Sequence, residues 1–490
     1  MSKDSDLSKT VLAIDIGSTK IAAVIAEIGE DNSITVTGHG VAKSQGVKKG
    51  VITNIELAAK SIKKALGDAR RIAGNNISVA TVSISNAYAR SINSTGVVNI
   101  PHKDISIKEI KRVMDTALYN ANIPNEFEVI HVLPYKFKVD EQDFIEDPYG
   151  MNASRMEVDV NIVMTQKSAL SNLKKAVRSA GLEIEGIVLN SYASALAVMG
   201  EDERELGVCV IDMGGQTSSL IVHVGNSIRY NDFLAVGSNH ITNDLSMALH
   251  TPLSIAESVK IRHGNLLESS SESVELPIIG DEEKRNTISL EIVHNVILAR
   301  VEEALIILSK SLDKSALREQ VGAGVVLTGG LTKLKGIREL AQAIFHGMPV
   351  RIGLPRELGG MYDELKDPAF STVVGLLLYQ AGEHTPYEVD YSKRLLHHKE
   401  EYRHDVTDIG DLHAESERRS GQTVHLSSSK KKEESPEFDL GLPEPSGKQK
   451  SRKKSSKFLE GEEESLLPST FKKSDGNPFK KIVNWAKQLF

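Results

Sequence analysis

Two stretches, "VLAIDIGSTKIAAVIAEIG" and "VCVIDMGGQTSSLIVHVG", share one pattern: an aliphatic run, Asp-x-Gly, a turn of small residues, and a second aliphatic run. Each reads as a strand, a tight turn and a returning strand. Their aspartates, Asp15 and Asp212, lie 197 positions apart, which predicts a duplicated α/β unit. Aliphatic strands, glycine turns and amphipathic helices alternate from residue 1 to about 383. "NIELAAKSIKKALGDARRIAG" predicts a helix starting near Asn54, and "NNISVATVSIS" a strand. "QKSALSNLKKAVRSAGLEIEGIVLNSYASALAVMG" predicts a helix, a short strand and a helix. Residues 84–162 read as a small α/β insertion in the first unit. From 385 the composition turns to Ser, Glu, Lys and His without apolar period, which predicts a disordered tether over 385–476.

Periodicity returns at the last residues, "GNPFKKIVNWAKQLF". Asn477 can cap a helix and Pro478 suits its first turn. At about 100° per residue, Phe479, Ile482, Val483, Trp485, Ala486, Leu489 and Phe490 fall on one side, and Lys480, Lys481 and Lys487 take the other. Fewer than two heptads leave no coiled-coil seam. A helix docked on its own domain would not need so long a tether. The lysines, each worth up to roughly 1 kcal/mol near an anionic surface, favour a phospholipid membrane as the occupant of the apolar side.

Composition narrows the classes. Aromatics are 5% of the chain, so aliphatic side chains supply the core. No run of 18 apolar residues occurs and the start, "MSKDSDLSK", has no signal-peptide centre, so the expected compartment is the cytoplasm. The single cysteine, Cys209, excludes an internal disulfide and reads as a buried strand residue. Residues 1–390 hold 39 Lys+Arg against 49 Asp+Glu. That acidic body argues against nucleic acid as a partner and is compatible with chelated Mg²⁺.

The two Asp-x-Gly turns carry the candidate chemistry. A phosphate chain needs backbone N–H groups that approach closely, which glycine permits, and a divalent ion that carboxylates hold directly or through water. Asp15 precedes Gly17, Ser18, Thr19 and Lys20; Asp212 precedes Gly214, Gly215, Gln216 and Thr217. Facing one another, the turns would grip phosphates from opposite sides with Asp15 and Asp212 near the metal. A third turn, Gly329 and Gly330, follows the strand residues Val325, Val326 and Leu327, and a helix after it would offer its amides. Neither a Walker A sequence nor a dinucleotide fingerprint is present.

These turns, with "IEGIVLNSYASALAVMG", "GVVLTGGLTKLKGI" and "DPAFSTVVGLLLY", resemble the ordered nucleotide-cleft motifs of the actin/Hsp70/sugar-kinase superfamily. "GHGVAKSQGVKKGVITNIELAAKSI", "HVLPYKFKVDEQDFIEDPYGMNASRMEVDVNIV", "AVGSNHITNDLSMAL" and "PLSIAESVKIRHG" resemble, more narrowly, the bacterial cell-division family FtsA. The resemblance implies an actin-like ATPase fold: subdomain 1A from 1–83, 163–190 and 365–384; the FtsA-type insertion 1C from 84–162; 2A from 191–244 and 310–364; 2B from 245–309; and a membrane-targeting helix, 477–490. It implies ATP and Mg²⁺ in the cleft, self-assembly, and binding of the tubulin-like FtsZ at the inner face of the cytoplasmic membrane. Recruitment of later divisome membrane proteins at the septum is also implied. By the same resemblance Glu257 and Lys260, with Gly329 and Gly330, contact ribose and base, and Arg300 is a candidate for partner binding.

The chain departs from the family pattern in places. Gln216 and Ser238 stand where glycine is frequent, and Ser219 where the superfamily usually has an acid. Positions matching the superfamily's catalytic Gln or Glu read Gly186 or Leu189, and neither takes a proton; Glu183 and Glu185 are nearby. The expectation is nucleotide binding with at most slow hydrolysis. The competing reading is a catalytic ATPase or small-molecule kinase on the same fold.

Overall fold

A computed structural model of the chain describes residues 8–225 and 227–397. The expected tether from 398 onward and the terminal helix, with its apolar residues and lysines, lie outside the described residues.

The duplication is explicit in the sheets. In the first, strands run in the order Glu183–Leu189, Val79–Ile84, Lys9–Ile16, Lys20–Ile28, Ile34–Lys43; in the second, Val350–Ile352, Val325–Thr328, Val208–Met213, Ser218–Val224, Ser227–Leu234. In both, the strand carrying Asp-x-Gly is central, antiparallel to the strand after the turn and parallel to its other neighbour. Asp15 and Asp212 are each the second-last residue of that central strand.

Burial explains the unbroken aliphatic runs. Leu12, Ala13 and Ile14 are fully buried, because helices cover both faces of the sheet. Helix Ile55–Ala73 packs on one face; Asn54 caps it by accepting from Leu57 N, and Gly74 ends it at φ 64°. Helices Asn190–Val198 and Ser371–Gln380 lie between the two sheets, in one core with Ile14, Val210, Ile221 and Val326. Both are apolar all round because a sheet meets each side. The outer face of the second sheet packs against Ser238–Leu249, Ile337–Ile344 and the long helix Leu290–Lys314. Cys209 is buried here, and burial pushes its thiol above the usual range.

The insertion leaves the first sheet after Val79–Ile84 and returns as helix Lys167–Ser179. It is an antiparallel sheet, in the order Ala89–Asn99, Arg155–Gln166, Phe127–Val139, Gln142–Ile145, under one helix, Ile107–Asn120. Two details differ from the sequence reading. The Gly329–Gly330 turn runs into a 3-10 turn, Gly330–Lys333, and the α-helix begins only at Ile337, after Gly336 takes φ 87°.

The chain also does not leave the body at 385. Tyr387 enters the core of the insertion, and Val389 exchanges backbone hydrogen bonds of 2.9 and 3.0 Å with Val132. Glu388, fully buried, accepts from Tyr192 Oη at 2.9 Å and Tyr379 Oη at 2.8 Å, and its Oε1 lies 2.6 Å from His131 Nδ1. Leu189 N donates to His131 Nε2, so Nδ1 is left to donate to Glu388. A polar-looking segment is thus retained by hydrogen bonds to residues far away in sequence.

Candidate functional site

The two Asp-x-Gly turns meet. A Cβ placed on Gly215 would lie 2.1 Å from Thr19 Cγ2, so the second turn touches the first with no room for a side chain. Between them opens a cleft of ≈ 250 Å³ lined from the first half by Asp15, Gly17, Ser18, Thr19 and Lys20, and from the second by Asp212, Gly214, Gly215 and Thr217. Glu257, Gly329 and Gly330 complete the predicted lining. Gly329, at φ 89°, passes so close that a Cβ would stand 2.4 Å from Asp212 Oδ1.

The charges are held by neutral hydroxyls. Ser83 Oγ donates to Asp15 Oδ1 at 2.9 Å while accepting from Ile16 N. Ser194 Oγ donates to Asp212 Oδ2 at 2.6 Å, with Thr372 Oγ1 at 3.4 Å. Burial raises both carboxyls above the usual range, offset in part by the Lys20 ammonium. Burial lowers Lys20, against the pull of Asp15 and Asp212; its Nζ donates to the Ala369 carbonyl and sits 4.1 Å from the Phe370 ring centre. Among the described residues no group of three or more His, Cys, Asp or Glu is placed to hold a metal.

Two predicted contacts sit elsewhere. Lys260 is buried, and its Nζ is spent on Ser238 Oγ at 2.6 Å, Thr242 Oγ1 at 2.9 Å and Glu257 Oε2 at 2.7 Å. It orients Glu257 at the cleft wall, and Ser238 supplies one of its acceptors. Gln216 turns away from the lining, and its Oε1 accepts from Lys49 N at 2.7 Å.

Sequence reasoning missed Asn190, Ser219, Ser238, Asn239 and Thr372, which also line the cleft. Ser219 and Ser238 had a signal, as departures from the family pattern, and Ser219 also stands opposite Asp212 across the hairpin. Glu185 pairs with Lys9 at 3.0 Å and does not line the cleft; Glu183 is exposed. Arg300 is engaged by neighbouring carboxylates, with Nε 2.6 Å from Asp244 Oδ2 and Nη1 2.6 Å from Glu303 Oε2.

The sequence model described as cell division protein FtsA matches residues 209–375, and that of the SHS2 domain inserted in FtsA matches 86–164. The chain is 40% identical over 450 residues to the cell division protein FtsA of Helicobacter pylori (strain ATCC 700392 / 26695), covering 86% of this chain and 89% of that protein. It is 38% identical over 374 residues to the Pseudomonas aeruginosa protein of the same name, covering 76% and 89%. It is 33% identical over 396 residues to that of Escherichia coli (strain K12), covering 79% and 94%. The chain belongs to the FtsA family. Its fold is actin-like, and the antiparallel sheet at 89–166 is the inserted domain of FtsA. The PilM-PilN type IV pilus biogenesis complex shares the fold at TM-score 0.55 and 18% identity, over 76% of this chain and 98% of that one. In this chain the side chains of Gln216 and Ser238 bond across and along the cleft wall.

Proposed function

We propose that this FtsA chain binds ATP with Mg²⁺ in the cleft, assembles with copies of itself, and tethers filaments of FtsZ to the inner face of the cytoplasmic membrane while recruiting later divisome membrane proteins. The observation that carries the reading is the convergence of two equivalent Asp-x-Gly turns on one cleft in a cell-division family. Gly17–Lys20 with Gly214, Gly215 and Thr217 would hold phosphates, Asp15 and Asp212 the ion through its waters, and Glu257, Gly329 and Gly330 the adenosine. The ion would supply charge neutralisation beside two carboxyls that burial makes costly to ionise. The membrane contact is assigned to Phe479, Ile482, Val483, Trp485, Ala486, Leu489 and Phe490 with Lys480, Lys481 and Lys487, on their pattern alone.

The lining favours ATP as a structural ligand over ATP as fuel. Asn190 stands just past Leu189 at the cleft, and an amide orients water without taking its proton. Phosphate release measured beside filament formation, in Mg-ATP, separates this reading from a catalytic ATPase or kinase. Assembly with slow release is expected; rapid turnover without assembly would refute it.

A further inference from the structure

The hairpin of Val47–Lys48 and Val51–Ile52 turns on two residues only, Lys49 at φ 49° and Gly50 at φ 78°. Two consecutive left-handed residues give the turn that matches strand twist. Glycine accepts this freely, whereas lysine is disfavoured there and is held by its surroundings. The tip is seated from behind, since a Cβ on Gly50 would fall 2.0 Å from Ser85 Oγ. Its two successive amides then reach two different turns. Gly50 N donates to Ser18 Oγ at 2.8 Å, and Lys49 N to Gln216 Oε1 at 2.7 Å.

Ser18 belongs to the same half of the molecule as the hairpin; Gln216 belongs to the other. The remaining hydrogen bonds of the second turn stay at home: Gly214 N to Thr217 O, Ser238 N to Gly214 O and Asn239 N to Gly215 O. Among the described residues, the Lys49–Gln216 bond is thus the one hydrogen bond by which residues 214–217 are fastened across the cleft. The other crossing contact, Gly215 on Thr19, is steric and resists approach rather than separation.

We infer that Gln216 is a positioning residue that ties the second phosphate turn to the Lys49–Gly50 tip of the first half, and so slows opening of the cleft and exchange of its nucleotide. The ligand in this statement rests on the nucleotide reading above; the tie rests on the hydrogen bond. A glycine at 216, as the resemblance leads one to expect, would have no side chain to make it.

The test uses the full chain with Gln216→Gly, Gln216→Leu and Gln216→Glu. Leucine keeps the bulk without an acceptor, and glutamate keeps an acceptor. In nucleotide-free protein, amide hydrogen exchange of the segment 46–53 is expected to quicken in the Gly and Leu variants and to stay slow in the Glu variant. Release of a mant-labelled ATP in Mg²⁺, followed by stopped flow, is expected to speed up roughly three- to tenfold in the Gly and Leu variants, the scale of one hydrogen bond. Unchanged exchange at 46–53 in both overturns the tie. Quickened exchange with unchanged release overturns its role in nucleotide exchange. Failure of the unaltered chain to take up the labelled ATP refutes the nucleotide reading instead, and with it the stated role, while the exchange measurement still decides the tie.

Discussion

Asp212 and His223 lie in one hairpin and show opposite uses of burial. Asp212 is buried, accepts from hydroxyl donors and lines the cleft, where the proposed function places an ion. Asp212→Ala is expected to weaken Mg-nucleotide binding by tenfold or more, roughly the loss of a charge-assisted contact. Calorimetric titration with unchanged affinity would count against the site. His223, 5% exposed, has no such task, and burial pushes its pKa down to about 3. The folded state keeps the ring neutral while the unfolded chain takes up a proton below 6.5, so stability is lost as pH falls from 6.5 toward 3. Between those values His223→Gln should flatten the fall in unfolding free energy by at most about 1.4 kcal/mol per pH unit. Parallel curves for the two proteins would assign the acid sensitivity to other groups.

Among elements, the strap from 385 to 397 is the one whose role changed most between sequence and structure. Its composition resembles the tether that follows, but Glu388 joins Tyr192, Tyr379 and His131, drawn from two helices and the insertion's sheet. The strap therefore bolts the insertion to the first α/β unit, with Leu189, the residue before Asn190 of the cleft, at the edge of the same network. Glu388→Ala takes the acceptor from His131 Nδ1 and Tyr379 Oη, leaves Tyr192 Oη only Thr385 Oγ1 to donate to, and is expected to cost roughly 3–5 kcal/mol in denaturant unfolding. A chain ending at residue 384 should be destabilised to a similar degree, and one ending at 397 should not. Equal stability of the two truncated chains would contradict the bolt. The helix Ile55–Ala73, by contrast, was legible to its ends, because Asn54 and Gly74 act locally and require no distant partner.

At the scale of the molecule, the family membership and the terminal pattern combine. Among the described residues no helix is long and apolar enough to cross a membrane. On the proposed function, attachment would fall to residues 477–490, by their sequence pattern alone. Burying each large apolar side chain there contributes about 1.5–3 kcal/mol, most of it offset by ordering roughly a dozen residues. On that proposal a single anchor would bind reversibly and an assembly presenting many would stay attached, coupling self-assembly to membrane residence. In vesicle sedimentation with anionic lipid, the whole chain is expected to pellet, with Trp485→Glu and a deletion of 477–490 remaining in the supernatant. Equal pelleting of all three would remove the lipid anchor.

What was readable along the chain was local or repeated: the two Asp-x-Gly hairpins, the helix caps, the insertion between them and the cleft glycines at 214, 215, 329 and 330. These depend on periodicity, turn chemistry and the absence of a Cβ, all carried by neighbouring residues. Folding alone placed Gln216 on Lys49, spent Lys260 on Ser238 and Glu257, paired Arg300 with Asp244, and buried Glu388. Each of those outcomes is a choice of hydrogen-bond partner by a polar side chain, and such a choice is made by proximity in space, across as many as 257 positions for His131 and Glu388.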